Sequence, residues 1–276
     1  MRLVREGFNV LSKKGLIHFL RRLPVSFYHR SIRRFLPTIG YATYNGVDVR
    51  ETKLLDPYFQ NEWWDTVSDW PEYENGLVTL HEKATRDGDD VVIIAGGNGV
   101  SLYWAAKHVG ESGSITAYEA SDQQIEIIHN VISRYDLEDR CRLYHALIAE
   151  DIGVYGSESS VDVISPAKLE DCNVLELDCE GAELAILDEM DIRPREIYVE
   201  LHPHLVDYNI RDVLDRLHEM GYEIHQTVGH NGMELTDSQF TEMLEYDRQE
   251  KNNMLSFGGM HPPIVWARNI QKDTGN

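Results

Sequence analysis

The residues of this chain whose types and spacing could do chemistry are led by a glycine-rich turn and an acid that follows it. The turn consists of Ala95, Gly96, Gly97 and Gly99. Its glycines let backbone N–H groups approach a ligand closely, because no Cβ intervenes. Glu119 follows about 20 residues later, and an acid so placed accepts hydrogen bonds from the hydroxyls of a ribose. The spacing therefore predicts a nucleoside site made by this turn, Glu119 and the adjacent Ala120.

The spacing of the glycines separates two classes of nucleoside cofactor. A dinucleotide site uses the pattern G-x-G-x-x-G, but counting from Gly97 and Gly99 the sixth position is Leu102. S-adenosylmethionine has no phosphate, needs close backbone approach to its methionine end, and still uses the ribose-binding acid. The glycines therefore favour S-adenosylmethionine over NAD. The alternative is that the glycines bind no ligand and only allow the strands and the helix of a βαβ unit to pack closely.

A second group of reactive residues follows two later apolar segments. Asp178 and Glu180 come just after residues 173–177, and His202 comes just after residues 196–201. A carboxylate here can orient or deprotonate a hydroxyl group that accepts a methyl group from the cofactor. A histidine with a pKa near 6.5 suits the role of a base at neutral pH. The alternative for the two acids is structural, because Asp and Glu stabilise the N-terminus of a following helix. We assign the catalytic roles to Asp178, Glu180 and His202, with Asp178 also contacting the cofactor.

The same region offers another possibility, a metal site of carboxylates and imidazoles. Its potential ligands are Asp178, Glu180, Glu200, His202 and His204. Such mixed sets bind divalent cations in many proteins. Nothing in the spacing of these residues demands a metal ion, so the site predicted from the sequence is one without a metal.

These residues require a framework in which strands and helices alternate. Seven segments are predicted as strands, at residues 91–95, 115–118, 140–148, 173–177, 196–201, 222–228 and 263–267. Amphipathic helical segments separate the earlier ones. Such alternation predicts a doubly wound α/β sheet that binds ligands at the carboxyl ends of its strands. Ahead of the sheet, residues 41–49 are predicted as a hairpin that turns at Asn45 and Gly46.

The charge balance limits the classes of partner. The chain of 276 residues is 42% hydrophobic, which supports a packed core, and its 47 acidic and 26 basic residues leave a net charge of −21. Arg outnumbers Lys by 18 to 8. An acidic, lysine-poor surface keeps a protein soluble where salt screens its self-repulsion, so we expect a halophile protein. The same charge argues against nucleic acid as a partner of the main domain, because phosphates would be repelled.

Cysteine content and hydropathy indicate the compartment. The three cysteines, Cys141, Cys172 and Cys179, are too few and odd in number for a disulfide framework. The longest apolar run is far shorter than the roughly 20 residues that span a bilayer, and the N-terminus lacks the apolar core of a signal peptide. We therefore expect a soluble, cytoplasmic protein.

The first 34 residues differ from the rest in charge. They hold nine basic residues against one acid, Glu6, and place four large apolar side chains on one helical face before Pro24. These side chains belong to Leu16, Phe19, Leu20 and Leu23. A basic amphipathic helix of this kind has two interpretations, peripheral contact with an anionic membrane or packing across the protein's own acidic domain.

The segment Asp-Cys-Glu-Gly-Ala-Glu at residues 178–183 resembles the D-x-E-G-A-E signature of the FkbM family of S-adenosylmethionine-dependent methyltransferases. The resemblance covers roughly residues 75–268. It implies a class I methyltransferase sheet of seven strands, ordered 3-2-1-4-5-7-6 with strand seven antiparallel and helices on both faces. It also implies methyl transfer to a hydroxyl of a small molecule, sugar or lipid-linked glycan, and the acidic composition resembles that of members from halophilic archaea. The predicted domains are a basic helical extension and linking region at 1–72, a methyltransferase domain at 73–270 and a tail at 271–276.

Two residues depart from the family pattern. The family usually carries an acid two residues before the first glycine of the turn, but here that position is Ile93, and Ala95 replaces the glycine. The missing acid removes one hydrogen-bonding partner of the turn. Two alternatives to a methyltransferase therefore stay open, a catalytically silent nucleoside-binding module of the same fold and an NAD-dependent oxidoreductase.

Overall fold

A computed structural model describes residues 27–58, 70–149, 161–179, 181–202, 209–242 and 263–271. The predicted basic helix and the candidate residues Glu180 and His204 lie outside these ranges. The chain divides into two compact units, Met1–Trp70 and Pro71–Asn276. Within the described ranges, no helix is long and apolar enough to cross a membrane.

The first unit is built on an antiparallel hairpin of β1 (Thr38–Tyr44) and β2 (Val47–Lys53). Asn45 and Gly46 form its turn with φ angles of 46° and 77°, the left-handed values that a type I′ turn requires. The predicted hairpin and its turn are therefore confirmed. Short helical turns lie at Tyr28–Ile32, Arg33–Phe35 and Asp56–Tyr58.

Asp56 ties the parts of this first unit together through a buried ion pair. Its carboxylate accepts hydrogen bonds from Tyr28 Oη at 2.6 Å, Arg33 Nε at 3.0 Å and Lys53 N at 2.7 Å. Arg33 also donates to the backbone carbonyl of Glu51 at 3.0 Å. Burial opposes the negative charge, but the hydrogen bonds from Arg33 and Tyr28 lower the pKa of Asp56 below its ordinary value. The hairpin is thus held by a charged group that stays ionised.

The second unit is an α/β sheet with helices between its strands. The strands are β3 (Asp90–Ile94), β4 (Ser114–Glu119), β5 (Cys141–Ile148), β6 (Asp162–Ile164), β7 (Val174–Leu177), β8 (Glu196–Glu200), β9 (Tyr222–Val228) and β10 (Ile264–Asn269). The helices are α1 (Asn75–Ala84), α2 (Val100–Val109), α3 (Asp122–Arg134), α4 (Glu183–Glu189) and α5 (Ile210–Glu219). The order across the sheet is β6-β5-β4-β3-β7-β8-β10-β9, and β10 is antiparallel to both of its neighbours.

The described sheet has eight strands where seven were predicted. Seven of them overlap the predicted segments and lie in the order that the family resemblance implies. The additional strand, β6, pairs with β5 at the edge of the sheet over three residues. A strand this short shows too few side chains for a periodic pattern, so the sequence did not reveal it.

Alternation along the strands gives the sheet a hydrophobic core on each face. Val92 and Ile197 belong to one core, to which α4 and α5 contribute. Ile93 and Tyr198, each the next residue along its strand, belong to the other core with α1, α2 and α3. The prediction of helices on both faces is confirmed. Ile93 is fully buried in its core, so a carboxylate at this position would have no aqueous neighbour.

The register aligns the carboxyl ends of four parallel strands. Ile94 pairs with Tyr118 on one side and with Leu177 on the other, and Leu177 pairs in turn with Val199. The residues that follow these four therefore lie together along one edge of the sheet, the edge formed by the carboxyl ends of its parallel strands. They are Ala95, Glu119, Asp178 and Glu200.

Candidate active site

The glycine-rich turn joins β3 to α2 at this edge. Gly97 and Gly99 have φ angles of 50° and 76°, and Gly99 immediately precedes the helix. Ala95 also has a positive φ, 64°, and its N–H donates to the carbonyl of Tyr118 at 2.8 Å. The left-handed conformation costs a residue with a Cβ about 1–2 kcal/mol. Ala95 therefore occupies a position suited to glycine, and the neighbouring strand holds it there.

Glu74 supplies a carboxyl group to the turn. It is 5% exposed, and its Oε2 accepts a hydrogen bond from the backbone N–H of Ser101 at 3.0 Å. A Cβ on Gly97 would lie 3.0 Å from Glu74 Oε1, so the two residues are closely packed. The sequence predicted that Ile93 leaves the turn without its usual acid. Glu74, from the segment before α1, places a carboxyl group at the start of α2 instead.

A buried polar chain continues from Ser101 beneath the turn. Ser101 Oγ donates to Glu176 Oε1 at 2.7 Å, and the other oxygen of Glu176 lies 2.7 Å from His81 Nε2. The second ring nitrogen of His81 lies 2.8 Å from Thr85 Oγ1. These hydrogen bonds link α2, β7 and α1. Because His81 and Glu176 are at most 1% exposed, the chain anchors the start of α2 inside the protein.

Glu119 lies at the end of β4 with 7% of its surface exposed, and its Oε1 accepts a hydrogen bond from Ser121 N at 2.7 Å. The turn reaches the same region through Asn98, whose Oδ1 accepts from Gln124 Nε2 at 3.0 Å. The carbonyl of Ala120 lies 3.2 Å from His145 Nε2. The predicted ribose-binding carboxylate and the glycine turn thus occupy adjacent strand ends.

His202 lies among three carboxylates beside this turn. Its Nε2 is 3.6 Å from Asp178 Oδ1 and 3.8 Å from Glu200 Oε1. Its Nδ1 is 3.4 Å from Oε1 of Glu183, a residue with no exposed surface. The side chains of His202, Asp178 and Glu200 are 10%, 19% and 6% exposed, so solvent reaches the group only partly. Two of the three predicted catalytic residues, Asp178 and His202, are brought together here.

A model of the FkbM methyltransferase domain matches residues 71–224, more than half of the chain. This chain belongs to the FkbM methyltransferase family. The family and the methyltransferase class predicted from the sequence are confirmed. The halophilic archaeal type stays a prediction. In a comparison by sequence, no curated protein matches this chain.

Solved methyltransferase structures are similar to the chain at low identity. An S-adenosylmethionine-dependent O-methyltransferase from Thermotoga maritima is 13% identical over 80% of this chain and 73% of its own, with a TM-score of 0.44. A methyltransferase from Geobacter sulfurreducens in complex with S-adenosylhomocysteine is 12% identical over 71% and 90%, with a TM-score of 0.43. A putative rRNA methylase from Clostridium thermocellum is 13% identical over 71% and 95%, with a TM-score of 0.42.

The candidate site of this FkbM-family chain brings several carboxyl groups together in a buried place. Burial, and next the charge of Glu176, raises the pKa of Glu74 to about 8, so that its carboxyl group holds a proton at neutral pH. Burial also raises the pKa of Asp178 well above its ordinary value, and the charge of Glu200 adds to the effect. The pKa of the Cys179 thiol is raised by burial and then by Glu183, so this cysteine is no thiolate nucleophile.

Glu74 and Glu176 contribute to the candidate site, although the sequence did not predict a role for either residue. Glu176 carries a signal, because it is an acid within β7, a strand whose other residues are apolar and fully buried. A buried acid of this kind needs a partner. Glu74 carries no comparable signal, since its contact with Ser101 joins segments 27 residues apart.

Proposed function

We propose that this protein transfers a methyl group from S-adenosylmethionine to a hydroxyl oxygen of a small molecule, a sugar or a lipid-linked glycan. The proposal rests on one observation above the others. The register of β3, β4, β7 and β8 aligns the glycine turn, Glu119, Asp178 and Glu200 at one edge. Family membership and the S-adenosylhomocysteine held by the Geobacter sulfurreducens enzyme support the same cofactor.

The residues of the turn fit a nucleoside with an amino-acid tail. Positive φ angles at Ala95, Gly97 and Gly99 turn the backbone sharply before α2, and the N-terminus of a helix favours a negatively charged group such as the carboxylate of the amino-acid tail. Glu119 is an acceptor for the ribose hydroxyls. Asp178 follows β7, the neighbour of β3, and would lie close to the methyl group of a bound cofactor. When bound, S-adenosylmethionine supplies an activated methyl group on a sulfonium that needs no acid to leave.

The group around His202 suits the acceptor. Methyl transfer is an in-line displacement, so the protein chiefly has to align the acceptor oxygen and exclude water. Glu183 orients the imidazole through Nδ1, which leaves Nε2 facing Asp178 and Glu200. An acceptor hydroxyl placed there can give its proton to His202 or Asp178. Glu180 belongs to the same proposed set through the family signature.

Calorimetric titration of the full chain in concentrated KCl tests the proposal. We expect S-adenosylmethionine and S-adenosylhomocysteine to bind and NAD not to bind. Transfer of a labelled methyl group to small molecules or glycans in a cell extract then identifies the acceptor. Binding of NAD alone indicates an oxidoreductase, and a folded protein that binds none of the three compounds overturns the proposal.

A further inference from the structure

We infer that Asp178, Glu200 and His202 form a binding site for a divalent cation. One ligand atom from each of these residues lies within 4.8 Å of the other two. Two carboxylates and an imidazole are a donor set that Mn²⁺, Fe²⁺ and Zn²⁺ accept. The inferred ion lies beside the glycine turn, at the carboxyl ends of β7 and β8.

The separations between the donor atoms fit a shared ion better than direct hydrogen bonds. His202 Nε2 is 3.6 Å from Asp178 Oδ1 and 3.8 Å from Glu200 Oε1, both beyond the usual range for an N–H···O bond. Two ligands at about 2.1 Å from one ion are about 3.0–3.4 Å apart in octahedral or tetrahedral geometry. A small inward movement of the side chains therefore brings all three into coordination.

Glu183 orients the imidazole for this role. Its Oε1 lies 3.4 Å from His202 Nδ1 and also accepts a hydrogen bond from Gly181 N at 3.0 Å. A histidine that binds a metal through one ring nitrogen usually donates its other N–H to a carboxylate in this manner. Because Glu183 has no exposed surface, its carboxylate is held in place. His202 Nε2 is thereby directed toward Asp178 and Glu200.

The backbone fixes the two carboxylates as well. Leu177 pairs with Val199 in the parallel register, which sets Asp178 beside the end of β8. Asp178 N donates to the carbonyl of Ile94 at 3.2 Å, so the residue continues the sheet past the end of β7. Glu200 is the last residue of β8, and its side chain is 6% exposed. Ligands on adjacent strand ends hold a site more precisely than ligands on a long loop.

Three protein ligands leave open positions on the ion. An acceptor hydroxyl bound there would be fixed next to the turn, and the cation would lower its pKa. This use of the ion rests on the proposed methyltransferase function, whereas cation binding rests on the geometry alone. In the metal-bound protein, His202 is a ligand and is not the base.

Titration of the chelator-treated full chain with Mn²⁺, followed by the electron paramagnetic resonance signal of the free ion, tests the site. We expect one Mn²⁺ per chain. Asp178→Asn and Glu200→Gln should each weaken binding more than 100-fold, and Glu183→Gln should weaken it about 10- to 100-fold through the orienting contact. Two variants of residues outside the site serve as matched controls. His225→Gln removes an exposed imidazole from β9, and Glu170→Gln removes a carboxylate that pairs with Arg142.

The inference is overturned if the folded wild type binds no Mn²⁺ at millimolar concentration. It is equally overturned if the site variants bind as tightly as the control variants. If Asp178→Asn or Glu200→Gln fails to melt cooperatively, the comparison with the controls rests on Glu183→Gln, which keeps a hydrogen-bonding oxygen for Gly181. Calorimetry with S-adenosylmethionine in excess chelator separates the two proposals, because cofactor binding there supports the proposed function whatever Mn²⁺ does. Stoichiometric Mn²⁺ binding without cofactor binding supports the cation site alone.

Discussion

Glu74 Oε2 accepts a hydrogen bond from the backbone N–H of Ser101 at 3.0 Å, across 27 residues of chain. The contact joins the segment before α1 to the first turn of α2, where unpaired N–H groups favour an acceptor. In this chain the carboxyl group beside the glycine turn thus comes from a preceding segment, while Ile93 fills the hydrophobic core. The charge of Glu176 acts on the same carboxyl group and opposes its ionisation.

Replacement of Glu74 by glutamine should change how stability depends on pH. In the unfolded chain the carboxyl group loses its proton near pH 4.5, whereas in the folded protein it keeps the proton to about pH 8. Between these values the folded state binds more protons, so the free energy of unfolding falls as the pH rises. The loss through this window is at most about 5 kcal/mol. Glu74→Gln retains an oxygen acceptor for Ser101 and removes the titrating group.

Urea unfolding at pH 5 and pH 8.5 measures this effect. We expect the wild type to lose more stability between the two conditions than Glu74→Gln does. Glu72→Gln is the matched control, because Glu72 is an exposed acid two residues away. Equal pH dependence in the wild type and in Glu74→Gln would show that Glu74 is ionised in the folded protein at neutral pH.

Seven of the eight described strands of the second unit could be predicted because they lie between polar or glycine-bearing segments, whereas β6 is too short to show a pattern. Tyr222–Val228 was predicted with the bounds that the structure has. The contact of Glu74 with Ser101 could not be predicted, since it depends on how α1 packs against α2 and has no counterpart in local spacing. Asp178 and His202 were predicted together because parallel strands end at one edge of a sheet. The distances from His202 Nε2 to the carboxylates of Asp178 and Glu200 depend on side-chain conformations, which cannot be read from a sequence pattern.

Glu119 offers a test of the cofactor site. Glu119→Gln should weaken S-adenosylmethionine binding by about 1.5–3 kcal/mol, the range for a hydrogen bond to a charged group, or about 10- to 150-fold in Kd. Calorimetry measures the change, and Glu126→Gln on the exposed face of α3 is the control. Unchanged affinity in a folded Glu119→Gln protein would remove this residue from the ribose site.

Asp56 offers a test of the first unit. Asp56→Asn removes the charge that Arg33 and Tyr28 face, and breaking a buried pair on one side costs about 3–5 kcal/mol. Amide hydrogen exchange in β1 and β2 should then become at least about 100-fold faster. The exposed pair of Arg142 and Glu170 is the control, because Glu170→Gln should change stability by less than about 1 kcal/mol. Equal exchange in the two variants would mean that the pair does not hold the hairpin.

The net charge of −21 predicts that salt stabilises the fold. Self-repulsion among surface carboxylates weakens as the Debye length falls from about 10 Å at 0.1 M to about 3 Å at 1 M. The Tm in KCl should therefore rise steeply up to about 1 M and then more slowly, since little repulsion is left to screen. Sulfate also strengthens the hydrophobic effect, so a chloride salt isolates the electrostatic part. Sucrose at matched osmolality is the control, and it should not reproduce the steep early rise. A Tm that is flat or falls with KCl would contradict the halophile prediction.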